Sequence, residues 1–304
     1  MSENRLRATA KAILPPGVRD VLRAVLHYWQ RVSLWPIILW QVRGTTWSDE
    51  WVLVRSAMAA PFLSFASISE WQDPILIADA DVVVPKVGRF RLRERSDDLY
   101  HVLPRREPGI FTALADLLEP GDVFIDAGAN IGVYTVLASQ LVGPSGRVIS
   151  IEMMPDTATR LEEHVLINRL TNVSIVRKAL SDIAGQTVMA SVEIGKHGRA
   201  SIAGRSGGLL HTVPVSTTTL DDVVNGIDLV RLMKMDIEGV ELAALRGSRS
   251  LLRRLNHLIY ESWGESKEEH DPVDALLKAA GFELSTIDGN NRLATNHTSI
   301  DSST

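Results

Sequence analysis

The stretch from Asp122 to Tyr134 constrains the fold of this chain more than any other part of its 304 residues. A short apolar run at Val123–Ile125 predicts a buried strand of a parallel sheet. Asp126 ends this run, and a loop with Gly128 and Gly132 leads into a helical pattern. A strand, a glycine loop and a helix N-terminus in this order form a nucleotide-sized site at the carboxyl end of a parallel sheet.

The spacing of the two glycines narrows the class of ligand. Asp126-x-Gly128-x-x-x-Gly132 lacks the G-x-G-x-x-G pattern that places a pyrophosphate at a helix N-terminus, which speaks against a nicotinamide dehydrogenase. The wider gap and the acid at the strand end suit a ligand with an amino-acid moiety and no phosphate. S-adenosylmethionine is such a ligand, and a carboxylate attracts its cationic ammonium and sulfonium groups. The alternative is a tight strand-to-helix turn in another α/β protein.

From Gly109 onward, strand and helix patterns alternate, which is typical of a parallel sheet. We predict a Rossmann-like α/β fold with a seven-stranded, mostly parallel sheet and helices on both faces. An extra hairpin is predicted from Val188–Val192 and Thr212–Val215, around the Gly-rich segment Gly195–Gly208. The predicted strands of the main sheet lie at Val123–Ile125, Arg147–Ile151, Val173–Arg177, Leu229–Met235, His257–Tyr260 and Phe282–Ile287, and near Leu293.

The N-terminal part of the chain is rich in tryptophan and in basic residues. Residues 1–71 contain six of the seven tryptophans, and residues 1–43 carry seven Lys/Arg against two acids. Helical periodicity from Gly17 and a cap at Ser48–Glu50 predict two helices, with Pro36 ending or kinking the first. β-like runs follow at Ile75–Ile77, Val82–Val84, Phe90–Leu92 and Leu99–Leu103. The predicted division is a Trp-rich helical extension at 1–73, a β-rich lead-in at 74–108, a catalytic domain at 109–295 and a polar tail at 296–304.

Composition excludes several classes of protein. The chain has no cysteine, so disulfides, thiolate metal sites and a cysteine nucleophile are ruled out. A net charge of −5 argues against a nucleic-acid partner. No uncharged apolar run reaches the roughly 20 residues that span a bilayer, and no signal-peptide pattern is present. We therefore expect a soluble, cytoplasmic protein.

Further candidate residues lie at the ends of the second and third strands. Glu152 follows the second strand, where a carboxylate can accept hydrogen bonds from both ribose hydroxyls of a nucleoside. Near the end of the third strand, Ala179 and Leu180 are small or apolar and suit an adenine slot. Ser181 or Asp182 could bind the exocyclic amine of adenine, and a plain β-turn at these two residues is the alternative.

The fourth strand runs into a hexapeptide, Asp236 to Glu241, that contains three acids. Such a cluster is costly unless it holds a cation or moves a proton. Asp236 is the candidate at the methyl-donor centre and Glu238 a candidate substrate or metal contact, with capping of the next helix as the alternative. Glu261 ends the fifth strand and could pair with Asp236 or share a divalent ion such as Mg²⁺ with it. One acid per strand end is weak evidence for an ion, and no metal ligand is assigned.

Taken together, these motifs resemble the FkbM-type methyltransferases, a branch of the class I S-adenosylmethionine-dependent enzymes. The resemblance covers about Arg89 to Ile287 and implies a class I methyltransferase fold. It also implies O-methylation of a hydroxyl on a sugar, polyketide or other secondary metabolite, with Asp126, Gly128 and Glu152 binding the cofactor. The family commonly has Glu-Pro after the second strand, whereas Glu152 is followed here by Met153-Met154-Pro155. The matching residues are Phe124–Thr135, Glu152, Asn168, Ala179–Ser181, Thr219–Asp222, Lys234–Glu241 and Glu261.

The sequence thus predicts an S-adenosylmethionine-dependent O-methyltransferase acting on a small molecule or glycan. Its alternative is a degenerate methyltransferase fold used for binding, docked on a membrane or partner by the Trp-rich basic N-terminus. The same tryptophans could instead form the core of an N-terminal cap or a homodimer contact. The predicted catalytic residues are Asp236, Glu238 and Glu261. The predicted cofactor-binding residues are Asp126, Gly128, Asn130, Gly132, Glu152, Ala179, Leu180, Ser181, Asp182 and Asp236.

Overall fold

The computed structural model describes residues 16–66, 73–193, 200–202, 210–262 and 271–297. The chain forms two compact units: Met1–Val84 with Leu92–Leu103, and Pro85–Arg91 with Pro104–Thr304. Most of the Gly-rich segment and of the polar tail predicted from the sequence lies outside the described residues.

Two helices dominate the first unit, α1 (Pro16–Gln41) and α2 (Trp47–Ala66). Of the two effects predicted for Pro36, ending the helix is wrong, because α1 continues through this residue to Gln41. Thr46 and Asp49 form a reciprocal cap at the start of α2: each side chain accepts the backbone N–H of the other residue. Among the helices of the described residues, none combines the length and apolar character needed to cross a membrane.

Three strands lie in the N-terminal third of the chain: β1 (Arg43–Gly44), β2 (Ala80–Val84) and β3 (Gly88–Leu92). β1 pairs antiparallel with β2. The predicted runs at Val82–Val84 and Phe90–Leu92 are therefore confirmed.

Two other β-like runs of the lead-in were predicted wrongly. Ile75–Ile77 is not a strand, and Leu99–Leu103 overlaps the short helix α3 (Asp98–His101). The buried Asp98 carboxylate accepts hydrogen bonds from the backbone and the guanidinium of Arg93 and so fixes the start of this helix. An apolar run of five residues does not by itself distinguish a strand from one buried helical turn.

The second unit is an α/β domain built mainly of strands that alternate with helices. Its helices are α4 (Pro108–Leu117), α5 (Val133–Val142), α6 (Pro155–Ile167), α7 (Leu220–Val223), α8 (Glu241–Arg246), α9 (Arg249–Leu252) and α10 (Pro272–Ala279). Its further strands are β4 (Val123–Ala127), β5 (Arg147–Ile151), β6 (Val173–Val176), β7 (Ala179–Leu180), β8 (Thr187–Glu193), β9 (Leu210–Thr218), β10 (Val230–Met235), β11 (Leu255–Glu261), β12 (Phe282–Asp288) and β13 (Asn291–Asn296).

Seven of these strands form one sheet in the order β12-β13-β11-β10-β4-β5-β6. The pairs among β11, β10, β4, β5 and β6 are parallel, and β13 pairs antiparallel with both β11 and β12. This confirms the Rossmann-like, seven-stranded, mostly parallel sheet. Nearly every residue of β4, β5, β10 and β11 is buried, as expected for central strands covered on both faces.

The register of this sheet brings the functional strand ends together. Asp126 of β4 lies beside Lys234 of β10 on one side and Ser150 of β5 on the other. Met235, the last residue of β10, lies beside Tyr260 of β11. The carboxyl ends of these parallel strands therefore meet at one edge, where ligands bind in open α/β sheets.

The predicted hairpin is confirmed as a second, smaller sheet. β8 and β9 pair antiparallel along the whole of β8, and β9 also pairs in parallel with β7. Ser191 of β8 forms an isolated bridge with Ser201, which lies in the described centre of the Gly-rich segment.

Candidate active site

The loop between β4 and α5 has an unusual backbone. Gly128, Asn130 and Gly132 have φ values of +80°, +50° and +88°. A Cβ on Gly128 would lie 1.9 Å from the carbonyl oxygen of Asp236, so this loop passes directly against the chain at the end of β10. Gly128 is therefore required both by its left-handed conformation and by this close approach.

Glu152 lies directly after β5 and faces this loop. Its buried carboxylate accepts the backbone N–H of Asn130 at 2.9 Å and that of Met154 at 2.8 Å, one on each oxygen. Burial raises its pKa to about 7, and the two backbone hydrogen bonds counteract only part of this shift. Each carboxylate oxygen can still accept a further hydrogen bond, which suits two neighbouring hydroxyls.

Two other acceptor atoms near the loop are buried and have no hydrogen-bond partner among the described residues: Asp126 Oδ1 and Asn130 Oδ1. Asp126 is fully buried, and its other oxygen accepts the Thr135 hydroxyl at 2.7 Å. Burial raises the pKa of Asp126, and the nearby Lys234 ammonium opposes this shift. Buried acceptors without a partner are rare in folded proteins and are expected where a ligand brings the missing donors.

A cleft of about 490 Å³ opens beside these residues. Ser201 donates its hydroxyl to the carbonyl oxygen of Glu238 at 3.0 Å and so holds the described centre of the Gly-rich segment at the cleft. The lining residues are Gly128, Asn130, Ile151, Glu152, Met153, Lys178, Ala179, Leu180, Ala200, Ile202, Asp236, Ile237, Glu238 and Val240.

The acids of the loop after β10 have two different roles: one stabilises the turn and two line the cleft. Glu241, the first residue of α8, accepts the backbone N–H groups of Ile237 and Gly239 and therefore caps this turn. Asp236 and Glu238 line the cleft instead. The capping alternative considered from the sequence thus describes Glu241 and leaves Asp236 and Glu238 at the candidate site.

A polar cluster surrounds Asp236. The Lys234 ammonium lies 3.3 Å from an Asp236 carboxylate oxygen and 4.8 Å from the centre of the Tyr134 ring. The Tyr134 hydroxyl donates to Glu107 at 2.5 Å, and Arg106 pairs with Glu107 at 3.3 Å. Burial lowers the pKa of Lys234, but the carboxylates around it, led by Asp236, raise it by more.

Sequence reasoning missed several members of this cluster as site residues. Lys234 and Tyr134 stand inside the motifs that carry the family resemblance, and this was the available signal. Glu107 lies in no motif, and only the fold brings it to the cluster.

Glu261, at the end of β11, is half-buried and does not line the cleft. Burial raises its pKa to about 7, with further contributions from the negative charges of Asp236, Glu238 and Glu107. The three predicted catalytic acids therefore lie within electrostatic range of one another. No group of three or more His, Cys, Asp or Glu residues in the described part of the chain is arranged to hold a metal ion.

The other predicted cofactor residues separate into two groups. Ala179 and Leu180 line the cleft, whereas Asp126, Gly132, Ser181 and Asp182 do not. The Ser181 hydroxyl donates to the Asp182 carboxylate at 3.2 Å, so these two side chains bond to each other. Gly132 is the N-cap residue of α5, and its left-handed conformation lets the loop turn into this helix.

His164 of α6 holds the loop after β4 in place, and Asn168, which follows α6, bonds to β3. The buried His164 ring accepts the Arg91 N–H at 2.9 Å through Nε2, so Nδ1 carries the proton and donates to the carbonyl oxygen of Ile131 at 2.6 Å. Asn168 pairs with both backbone groups of Arg89. These residues support the site without lining it.

A family model described as the methyltransferase FkbM domain matches residues 126–284, which is more than half of the chain. The chain belongs to the FkbM methyltransferase family. The matched region begins at Asp126 and contains nearly all of the cleft described above. This protein is therefore a methyltransferase with a Rossmann-like fold, and the resemblance seen in the sequence is confirmed.

Two of the similar proteins are methyltransferases by name. Methyltransferase sdnD of Sordaria araneosa is 25% identical over 198 residues, covering 54% of this chain and 75% of that protein. Hexuronic acid methyltransferase AglP of Haloferax volcanii is 27% identical over 185 residues, covering 60% of this chain and 71% of that protein. The crystal structure of a methyltransferase FkbM from Methylobacillus flagellatus is 15% identical, with a TM-score of 0.39, over 91% of this chain and 60% of that one.

Proposed function

We propose that this FkbM-family protein is an S-adenosylmethionine-dependent O-methyltransferase that acts on a hydroxyl group of a small molecule or glycan. The observation that carries the proposal is the cleft at the carboxyl edge of the sheet. This edge brings together three features: the buried Glu152 carboxylate, which suits a diol, an apolar slot, and a cluster of acids around Asp236. The name of the relative AglP, a hexuronic acid methyltransferase, supports a sugar as the acceptor.

The residues of the cleft fit the parts of this methyl donor. The Glu152 carboxylate would accept hydrogen bonds from the ribose hydroxyls, because each of its oxygens keeps a free lone pair. Apolar side chains from β5, β7 and the Gly-rich segment would enclose the adenine: Ile151, Met153, Leu180 and Ile202. The buried, unpartnered oxygens of Asp126 and Asn130 fit a ligand that brings N–H and O–H donors to this edge.

S-adenosylmethionine, when bound, supplies a methyl group on a positively charged sulfur, and its transfer breaks a C–S bond and forms a C–O bond at the acceptor. Asp236 and Glu238, which line the cleft, would attract this positive charge and position it. The acceptor hydroxyl must also lose its proton. Glu261 does not line the cleft, but it ends β11 at the same sheet edge and lies within electrostatic range of Asp236 and Glu238. We assign it as proton acceptor on this position, and its pKa of about 7 suits a general base near neutral pH.

Titration calorimetry with S-adenosylmethionine and S-adenosylhomocysteine tests the donor half of the proposal. We expect both to bind the wild-type protein. Absence of binding for both would contradict the proposal and favour a fold that has lost its methyltransferase activity.

Transfer of a labelled methyl group to a panel of hexuronic acids, neutral sugars and hydroxylated polyketides tests the acceptor half. We expect a product whose new methyl group, located by NMR, lies on a hydroxyl oxygen. A methyl group on nitrogen, sulfur or a carboxylate would leave the methyltransferase assignment intact and overturn hydroxyl O-methylation.

A further inference from the structure

Helix α1 has two opposite apolar faces. One face, with Trp35 and Ile38, is buried. The other faces solvent, and its residues recur at spacings of three and four, which return to one side of a helix. This exposed set consists of Val18, Val21, Leu22, Val25, Leu26 and Trp29, and Trp40 lies on the same side about three turns further on.

Helix α2 repeats this arrangement. Leu53 and Ala60 are buried on one side. On the other side, large apolar residues follow at spacings of four, seven and four residues, and Trp47 and Phe62 at its ends are 92% and 79% exposed. This exposed stripe consists of Trp47, Trp51, Met58 and Phe62.

These exposures exclude one interpretation of the N-terminal tryptophans. Among the described residues of the first unit, Trp35 is buried, whereas Trp29, Trp40, Trp47 and Trp51 are mostly exposed. A core of an N-terminal cap is therefore wrong for these four. Two adjacent helices with exposed aromatic stripes are an unusual surface and indicate an interaction site.

The charge of this region indicates the kind of partner. Residues 1–66 carry eight Lys/Arg against four Asp/Glu, whereas residues 67–304 carry 24 against 33. The exposed Arg55 stands within the α2 stripe, between Trp51 and Met58. The two acids of α2, Asp49 and Glu50, accept the backbone N–H groups of Thr46 and Gly44 at the start of the helix. The segment 1–66 is therefore net positive in an otherwise acidic chain, and this charge is complementary to an anionic partner.

We propose that the exposed faces of α1 and α2 dock on an anionic lipid bilayer, with the tryptophans at the level of the headgroups. Tryptophan is enriched at this depth, and helices with an apolar face and basic flanks lie in the plane of the membrane interface. A two-fold dimer through the same surface would bring the positive charge of one copy against that of the other. The proposal does not depend on the O-methyltransferase assignment, because all of its residues lie in the first unit.

Flotation of the full-length protein with lipid vesicles tests this proposal. We expect binding to vesicles of phosphatidylcholine and phosphatidylglycerol in equal parts, weaker binding to phosphatidylcholine alone, and loss of binding at high salt. The double variant Trp47→Ser/Phe62→Ser should bind at least about tenfold more weakly, because it removes two large apolar groups from the interface. Arg55→Glu should weaken binding to the anionic vesicles alone.

A matched control is the double variant Leu166→Ser/Ile183→Ser, which removes two apolar residues of the second unit that are 73% and 52% exposed. It should bind vesicles like the wild type. Equal binding by both double variants, or no binding by the wild type, would overturn the proposal.

Light scattering during size-exclusion chromatography tests whether a second copy of this chain binds the surface instead of a membrane. A dimer that Trp47→Ser/Phe62→Ser abolishes, without vesicle binding by the wild type, would assign the surface to a second copy and overturn membrane docking. Circular dichroism should show the same melting temperature for all variants, because every replaced side chain is exposed. If the double variant unfolds, the single variant Arg55→Glu and the salt dependence still decide the question.

Discussion

The Glu152 carboxyl shows how one residue balances burial against hydrogen bonding. It accepts two backbone N–H groups, yet its pKa rises from 4.5 to about 7, because loss of water costs the ionised form more than these bonds return. Between these two pKa values the folded protein binds more protons than the unfolded chain. The free energy of unfolding should therefore fall as the pH rises through this window.

Replacing Glu152 by glutamine should remove this contribution and should also weaken donor binding. We expect a shallower loss of stability between about pH 5 and about pH 8, measured by chemical denaturation. Calorimetry should show an affinity for S-adenosylmethionine reduced by about tenfold or more, because an amide offers one acceptor oxygen in place of two. Glu119→Gln, at an exposed position, is the control and should change neither quantity. An unchanged affinity in Glu152→Gln would remove Glu152 from the donor site.

Glu261 can act as a general base only when it is ionised. Because its pKa is raised to about 7, kcat of the wild type should rise with pH up to about neutrality and then level off. Glu261→Gln should lower kcat by about 100-fold or more and abolish this limb of the pH profile, with little change in donor affinity. Steady-state kinetics across pH measure both effects once an acceptor is known. If Glu261→Gln keeps the wild-type pH profile, another group must accept the proton.

At the scale of secondary-structure elements, the site depends on how closely the loop after β4 approaches the end of β10. Gly128 permits this approach, since any Cβ at this position would collide with the backbone carbonyl of Asp236 at 1.9 Å. Gly185 has nearly the same φ, +77° against +80°, but a Cβ added there would meet no atom within 4 Å. The two glycines therefore share the conformational requirement and differ in the collision.

Comparison of Gly128→Ala with Gly185→Ala isolates the cost of this collision. Both variants should lose about 1–2 kcal/mol through the left-handed backbone conformation. Gly128→Ala should lose several kcal/mol more and should no longer bind S-adenosylmethionine, because the two strand ends must separate. Denaturant unfolding and calorimetry measure these losses. Equal destabilisation of the two variants would show that the loop can move away from β10 at little cost.

At the scale of the whole molecule, the sheet could be predicted because its central strands are covered on both faces. The continuous apolar run Val123–Ile125 and the buried strand residues Val148–Ile151 have this cause, and the alternation with helices then fixes the parallel topology. The lead-in was predicted less well. Leu99–Leu103 also contains three aliphatic residues, but the pairing of Arg93 with Asp98 makes it begin as a helix.

In the candidate site, too, some residues could be predicted from the sequence and others could not. Glu152, Asp236 and Glu261 could be found because each directly follows or ends a strand, and the carboxyl ends of parallel strands meet at one edge. Glu107 comes from the turn before α4 and reaches the cluster through its hydrogen bond with Tyr134, which no local pattern reveals. Ser181 and Asp182 were placed in the site by their position along the chain, but they turn away to bond with each other.

Binding of the methyl donor should stabilise the second unit as a whole, because the site exists only when its strand ends are assembled. At a donor concentration of about 100 times Kd, the gain is about 2.7 kcal/mol. For a unit of about 200 residues this corresponds to a rise in Tm of about 5–10 °C. Scanning calorimetry should show this rise with S-adenosylmethionine and with S-adenosylhomocysteine.

Nicotinamide adenine dinucleotide is the matched control ligand for this measurement. It should leave Tm unchanged, because the loop from Asp126 to Gly132 lacks the glycine pattern that binds a pyrophosphate. Gly185→Ala should keep the full rise in Tm with S-adenosylmethionine, since this glycine does not line the cleft, whereas Glu152→Gln should show a smaller one. Equal rises with the dinucleotide and the methyl donor would mean that the cleft recognises adenosine alone, and the donor specificity inferred from the glycine spacing would then be wrong.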